Sequence, residues 1–118
     1  MNRSNELRDL ESSLTRLVEM LRLDPSSQWY SLFETHLETT KALLARQWSQ
    51  ADLNALSASI MGVYYGIGSF NDYAPAHFNV DSGRHTIIPG TERYAEFSSE
   101  VPLSSARVAN NWRCALVL

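Results

Sequence analysis

Residues 4–21, SNELRDLESSLTRLVEML, decide the fold class of this chain. Five leucines in this stretch recur at spacings of 3, 4, 3 and 4 residues, namely Leu7, Leu10, Leu14, Leu17 and Leu21. This spacing places all of them on one face of an α-helix, and charged side chains fill much of the other face. Ser4 or Asn5 can accept hydrogen bonds from the unpaired amides of the first turn. The pattern predicts an amphipathic helix over about residues 4–23.

A second helix follows a turn that contains proline. The residue before a proline avoids the α region, and proline itself suits the first position of a helix, so Asp24-Pro25 separates two helices. We expect the second helix over about residues 25–47. Its buried stripe consists of Trp29, Leu32, Phe33, His36, Leu37, Thr40, Leu43 and Leu44. Since His36 lies on this stripe, we expect a hydrogen-bonded core or boundary histidine.

A third helix is expected over about residues 50–66. Ser49 and Asp52 resemble a capping box in which aspartate replaces the usual glutamate. Apolar residues then recur at helical spacing: Leu53, Leu56, Ile60, Val63 and Ile67. A second face carries small residues that would permit close approach of a neighbouring helix: Ala55, Ala58, Ser59 and Gly62. Three helices joined by short connections predict an antiparallel bundle.

The pattern weakens in the next segment of the chain. Prolines and glycines interrupt it, and we expect an irregular loop over residues 67–90. Residues 80–88 could form a small hairpin around Asp81-Ser82-Gly83, although one isolated hairpin is only marginally stable.

A further helix is expected within residues 91–117. Pro102 should interrupt it, because proline lacks the amide hydrogen that a helix interior needs. Ser104 or Ser105 could then cap a last helical segment. Together these elements predict an all-α fold with one helical domain over residues 1–118.

Composition narrows the classes of function. The chain has 118 residues, of which 44% are hydrophobic, enough for the core of one domain. The formal net charge is −3 and the ten Lys and Arg residues are scattered, so we expect no nucleic-acid partner. No apolar run approaches the roughly 20 residues that span a bilayer, so we expect no membrane partner. Cys114 alone allows no intramolecular disulfide. Residues 1–6 contain no apolar stretch typical of a secretory signal, and we expect a cytoplasmic protein.

Residues 62–73, GVYYGIGSFNDY, end the third helix with a compact turn. Gly66 and Gly68 permit a positive φ or close packing, and Asn71 can bond local backbone amides. Ser69 lacks both the following glycine and the preceding strand of a nucleophile elbow. We therefore interpret Gly66, Gly68, Ser69 and Asn71 as a structural turn, and we expect no catalytic residues in this chain.

Aromatic residues gather around this turn: Tyr64, Tyr65, Phe70, Tyr73 and Phe78. They either close the open end of the bundle or form an aromatic platform for a partner, since tyrosine is enriched at interface hot spots. Both roles are compatible if some rings lie inside and others partly outside.

A metal site is the main chemical alternative. His77 and His85 lie near Asp72 and Asp81 in the sequence, and imidazole and carboxylate groups bind zinc or iron. The spacing matches no established metal motif, so we expect no metal and no cofactor. The alternative is a small metal- or ligand-dependent enzyme that uses the loop over residues 66–85.

Residues 65–72, YGIGSFND, resemble a motif near GGMGSFND in a bacterial group of small uncharacterised helical proteins. Tyr65 stands at the first glycine and Ile67 at the methionine, whereas the other six positions match. Residues 4–63 agree with the group in helical layout.

The resemblance carries no activity with it, but small acidic single-domain proteins of this style are similar to bacterial immunity proteins. By that analogy we expect a non-catalytic, immunity- or antitoxin-like inhibitor that occludes the active site of a cognate protein toxin. Candidate partner-binding residues are Asp72, Tyr73, Asp81, Glu92 and Glu96. The protein would act as a monomer or homodimer; a structural homo-oligomer built on the small-residue helix face is the remaining alternative.

Overall fold

The computed structural model describes residues 3–25, 27–64, 70 and 73–109. It is an all-α structure, as predicted, with one small hairpin. In chain order the elements are α1 (Arg3–Leu21), α2 (Gln28–Leu44), α3 (Gln50–Gly62), β1 (Ala76–Asn79), β2 (Arg84–Ile87) and α4 (Tyr94–Val108).

The core forms around α1. Its five striped leucines expose at most 1% of their surface, which confirms the prediction from their spacing. Helix α1 lies between α2 and α4 and packs extensively on both, whereas α3 packs on α4 and makes smaller contact with α2. Because both larger interfaces use one leucine-rich helix, α1 organises the bundle.

Helix α2 begins later than predicted. Ser27 has an extended backbone (φ −70°, ψ 136°), and its side chain accepts a hydrogen bond from Trp29 N at 3.1 Å. This serine cap satisfies a first-turn amide, so the helix begins at Gln28, and Pro25 lies in the preceding turn. The predicted start at residue 25 was therefore wrong by three residues.

Helix α3 begins as predicted but ends earlier. Ser49 accepts from Asp52 N at 3.2 Å, while the Asp52 carboxylate accepts from Ser49 N at 3.0 Å, which confirms the capping box. The helix ends at Gly62, with Val63 as its C-cap, and not at residue 66.

Helix α4 is continuous through Pro102, so the predicted interruption was wrong. A proline in a helix interior leaves the carbonyl four residues earlier without its usual donor. Here that carbonyl belongs to Ser98, and the Tyr64 hydroxyl donates to it at 2.9 Å. The tertiary contact thus replaces the missing helical hydrogen bond.

Two serines predicted as caps lie inside α4 and are buried, so that prediction was also wrong. Ser104 Oγ and Ser13 Oγ share a hydrogen bond of 2.8 Å, which joins α4 to α1. Ser105 Oγ donates to Ser57 Oγ at 3.1 Å, which joins α4 to α3. Small polar side chains therefore tie α4 to two neighbours. The remainder of the helix predicted within residues 91–117 lies partly outside the described residues.

The hairpin predicted over residues 80–88 is present but begins earlier, because β1 (Ala76–Asn79) precedes Val80, which lies in the turn before β2 (Arg84–Ile87). The strands are antiparallel, with Ala76 opposite Ile87 and Asn79 opposite Arg84. Gly83 in the turn has φ 68°, a left-handed conformation that glycine adopts at little cost. The base is fixed by a 2.9 Å hydrogen bond from Ile88 N to Pro75 O, and both of these residues are buried.

Candidate functional site

Phe70, the aromatic residue of the SFND sequence, anchors the part of the structure that follows α3. Its side chain is fully buried, and its N–H donates to Val63 O at 2.8 Å. Five rings surround it with centroids 4.6 to 5.8 Å away: Trp29, Phe33, Tyr64, Tyr73 and Tyr94. Edge-to-face and stacked arrangements at such distances are favourable. The core interpretation of the aromatic cluster is therefore confirmed for Phe70 and for the buried Tyr64.

Tyrosine hydroxyls near Phe70 are committed to bonds inside the protein. Tyr73 donates to Asp24 Oδ2 at 2.7 Å, and Tyr94 donates to Tyr73 O at 2.9 Å. Burial raises the pKa of Tyr73, and the bond to Asp24 raises it further. Burial also raises the pKa of Tyr94, to about 12. These phenols are neutral at physiological pH and act as structural donors.

Several predicted site residues lie outside the described residues. They are Asp72 and the turn residues Gly66, Gly68, Ser69 and Asn71. Tyr73, the predicted partner anchor next to them, is half-buried with its ring stacked on Phe70 at 5.7 Å. The structure therefore places Tyr73 in the supporting framework of the corner, where its hydroxyl already has an intramolecular acceptor.

Predicted acidic anchors occupy the two segments that flank β2. Asp81 is exposed in the hairpin turn, and Glu92 is exposed just before α4. Glu92 Oε1 accepts from Gly90 N at 3.2 Å, which holds the carboxylate close to the loop backbone. Glu96, one turn further on, is exposed and forms an ion pair of 2.7 Å with Arg93. The hydrogen bond from Arg93 lowers the pKa of Glu96, so this carboxylate stays charged.

Exposed apolar side chains on the hairpin are the feature that the sequence did not predict. Val80 is 84% exposed and Ile87 is 61% exposed. All four residues of β2 are exposed, and the strands make no extensive contact with any described helix. Helical periodicity does not predict exposed residues of a strand. The signal in the sequence is the presence of β-branched residues on both sides of a glycine turn, which is typical of a hairpin.

His36 is buried on α2, as predicted, but the predicted hydrogen bond of its ring is missing at one nitrogen. The residue is 9% exposed, and Nε2 has no hydrogen-bond partner. Its ring packs edge-on against Phe33 with centroids 5.9 Å apart. Burial lowers the pKa of His36, so the imidazole is neutral at physiological pH. It lines a groove of about 380 Å³ between α2 and α3.

The described side chains do not form a metal-binding site. They contain no group of three or more His, Cys, Asp or Glu residues that could hold an ion. The side chain of His77 and residue Asp72 lie outside this description, so the alternative of a metal-dependent enzyme stays a prediction. Within the described ranges, every helix is too short or too polar to cross a membrane.

The small-residue face of α3 points to solvent. Its four members are exposed: Ala55, Ala58, Ser59 and Gly62. The opposite side of α3 is buried and reaches α4 through Ser57. No described helix of the same chain packs closely on the small residues, so the homo-oligomer alternative stays a prediction.

Comparison of the chain with protein-family models, with curated proteins and with solved structures finds no match in any of the three.

Proposed function

We propose that this chain is a non-catalytic binding protein, an immunity- or antitoxin-like inhibitor that neutralises a cognate bacterial toxin in the cytoplasm by covering its active site. The recognition surface is the β1–β2 hairpin together with the start of α4. This surface carries three of the predicted anchors, Asp81, Glu92 and Glu96.

The observation that carries the proposal is the exposure of the hairpin. Val80 and Ile87 leave most of their apolar surface in water, although the fold has a well-formed core elsewhere. A hairpin of two strands is marginal when it stands alone, and contiguous exposed apolar surface is typical of interaction sites. A partner that covers the hairpin would remove this surface from water and stabilise the pairing of its strands.

The rigidity of the hairpin base supports the same function. Ile88 is buried, and Thr91 Oγ1 donates to Ile88 O at 2.6 Å. Gly90 has φ 93°, and a Cβ built there would lie 2.8 Å from Leu23 Cδ1, so the loop passes close to the Leu23 side chain in the turn that follows α1. A preformed base lowers the entropy that binding must overcome.

Charge supports a basic target. The protein is acidic overall, with a net charge of −3, and the proposed surface carries three exposed carboxylates against two exposed arginines, Arg84 and Arg93. Toxins that act on nucleic acids or nucleotides have basic clefts, and complementary charge accelerates association. Rim charges contribute mainly to the encounter rate, whereas the apolar side chains would contribute more to the lifetime of the complex.

Co-expression tests the proposal. The wild-type protein should protect cells from the toxin encoded beside it and bind that toxin with nanomolar or tighter affinity. Val80→Asp should abolish protection, because it places a charge in the apolar centre of the proposed contact. Ala58→Asp, an equally exposed site on α3, is the matched control and should still protect. Failure of the wild type to protect, or equal protection by both variants, would contradict the proposal.

A further inference from the structure

The register of the hairpin determines which backbone groups of β2 face outward. Ile88 N–H donates to Pro75 O, so these two residues form a hydrogen-bonded pair. Hydrogen-bonded and non-hydrogen-bonded pairs alternate in an antiparallel ladder. Ala76 and Ile87, the next pair in the register, are therefore a non-hydrogen-bonded pair. It follows that Ile87 directs its N–H and C=O away from β1, whereas Thr86 directs its own towards β1.

The outward edge of β2 is open within the described structure. The sheet has two strands, and the ladder partner of β2 is β1 on its other side. Every residue of β2 is exposed, including Ile87, which therefore presents an apolar side chain as well as outward backbone groups. An edge strand of this kind is a template for pairing with another chain.

We propose that an extended segment of the protein partner pairs with the outer edge of β2 at Ile87 and adds a third strand to the sheet. This inference rests on the proposed function and specifies how the partner is bound. Main-chain hydrogen bonds to Ile87 would supply affinity, and the Ile87 side chain would favour an apolar residue on the added strand. With three strands the sheet would reach the number usually needed for independent stability.

The flanks of β2 define the chemistry of the added strand. Asp81 precedes β2, Arg84 is its first residue and Glu92 follows it, and all three are exposed. An extended segment with an apolar residue beside Ile87 and a basic residue towards Glu92 therefore complements this edge. Such a segment fits the basic cleft expected of a toxin.

A protein partner suits this edge better than a second copy of the chain. Stable dimers bury on the order of 1,200–2,000 Å² in total, and the four-residue edge of β2 reaches only a small part of that area. A toxin can add contacts to Asp81, Glu92 and the start of α4, so the strand becomes one part of a larger interface.

Two substitutions at Ile87, read together with amide exchange, test whether its outward N–H takes part in binding. Ile87→Pro removes the outward N–H and leaves the ladder to β1 intact, because Ile87 does not donate to β1. Ile87→Val keeps the N–H and an apolar, β-branched side chain. With the co-encoded toxin as the probe, we expect Ile87→Pro to weaken binding at least about tenfold and Ile87→Val to change it by less than about threefold.

Amide hydrogen exchange provides the second readout. In the complex the Ile87 amide should become protected, and in free Ile87→Pro the Thr86 amide should stay protected, which shows that the hairpin persists. Equal binding by the two variants, or an Ile87 amide that exchanges as fast in the complex as in the free protein, overturns the inference but leaves the proposed function standing. A dimer at micromolar concentration that Ile87→Pro dissociates would assign the edge to a second copy. Absence of any toxin binding by the wild type removes both proposals.

Discussion

The helical frame, which consists of α1 to α4 with Phe70, and the β1–β2 hairpin differ in how far their apolar side chains are buried. In the frame, most large apolar side chains are buried, and polar groups such as Ser104, Ser105 and Tyr64 bond across helices. On the hairpin, Val80 and Ile87 are exposed, and the strands make no extensive contact with any described helix. The frame therefore covers its own apolar surface, whereas the hairpin leaves two apolar side chains in water.

Phe70 is the described residue of the SFND sequence, and it belongs to the frame, because its ring is buried at the centre of an aromatic cluster. The exposed tip of the hairpin lies ten or more residues further along the chain. The burial of Phe70 shows that an aromatic residue of a conspicuous motif can serve the core.

The largest difference between the two regions should be seen on side-chain truncation. Phe70→Ala removes a fully buried ring from contact with five others and should lower the free energy of unfolding by about 3–5 kcal/mol. Val80→Ala, at an 84% exposed site, should change it by less than about 0.5 kcal/mol. Urea unfolding followed by circular dichroism measures both. Similar losses for the two variants would show that the hairpin is part of the cooperative core.

The junction between frame and hairpin can be tested at Gly90. Gly90→Ala adds a Cβ at φ 93° and 2.8 Å from Leu23 Cδ1, so we expect a loss of about 1–3 kcal/mol. Gly62→Ala is the matched control, because its Cβ would meet nothing within 4 Å at the exposed end of α3. It should raise stability by about 0.5–1 kcal/mol. Thermal unfolding of both variants checks the opposite signs, and a loss in both would exclude this explanation.

A smaller effect is expected where Tyr64 compensates for Pro102. Tyr64→Phe leaves the Ser98 carbonyl without its donor and should cost about 1–2 kcal/mol. Pro102→Ala supplies a backbone N–H for the same carbonyl, so Tyr64→Phe should cost less in that background. A double-mutant cycle in urea measures the coupling. Equal costs in both backgrounds would mean that the hydroxyl and the proline act independently.

Periodicity predicted most of the frame for a physical reason. The leucine stripe of α1 and the Ser49–Asp52 capping box depend on spacing within a few residues, and both were confirmed. The continuous helix through Pro102 depends instead on a hydroxyl 34 residues away in sequence, from Tyr64 to Ser98. Rules based on neighbouring residues cannot predict this contact. The helix was predicted to break at Pro102 because such rules do not include the Tyr64 hydroxyl.

The sequence predicted the hairpin segment on which the candidate site is proposed, but not all of the residues that form the site. The turn Asp81-Ser82-Gly83 indicated the hairpin, and its acidic residue is exposed as an anchor requires. The assignment of Tyr73 as an anchor did not include its bond to Asp24, 49 residues away. The exposure of Val80 and Ile87 arises because no described helix covers them. Tertiary packing decides both features.

The smallest expected effect concerns the pH dependence of stability and contrasts a buried histidine of the frame with an exposed, uncharged residue of the hairpin. Burial lowers the pKa of His36 below its ordinary value of 6.5. Above that value His36 is neutral in both states and contributes no pH dependence. As the pH falls below it, the unfolded chain binds a proton that the folded protein resists, so stability decreases.

His36→Gln should therefore remove part of the loss of stability between pH 6.5 and pH 5. The other titratable groups contribute equally to the pH dependence of the wild type and of this variant. Val80→Gln, at an 84% exposed site without an ionisable side chain, is the control and should keep the wild-type slope. Urea unfolding at several pH values measures the difference in slope. If His36→Gln retains the full slope, the buried imidazole binds a proton in the folded state as readily as in the unfolded chain. That result would contradict the expectation from its burial and from its Nε2, which has no hydrogen-bond partner to stabilise a charge.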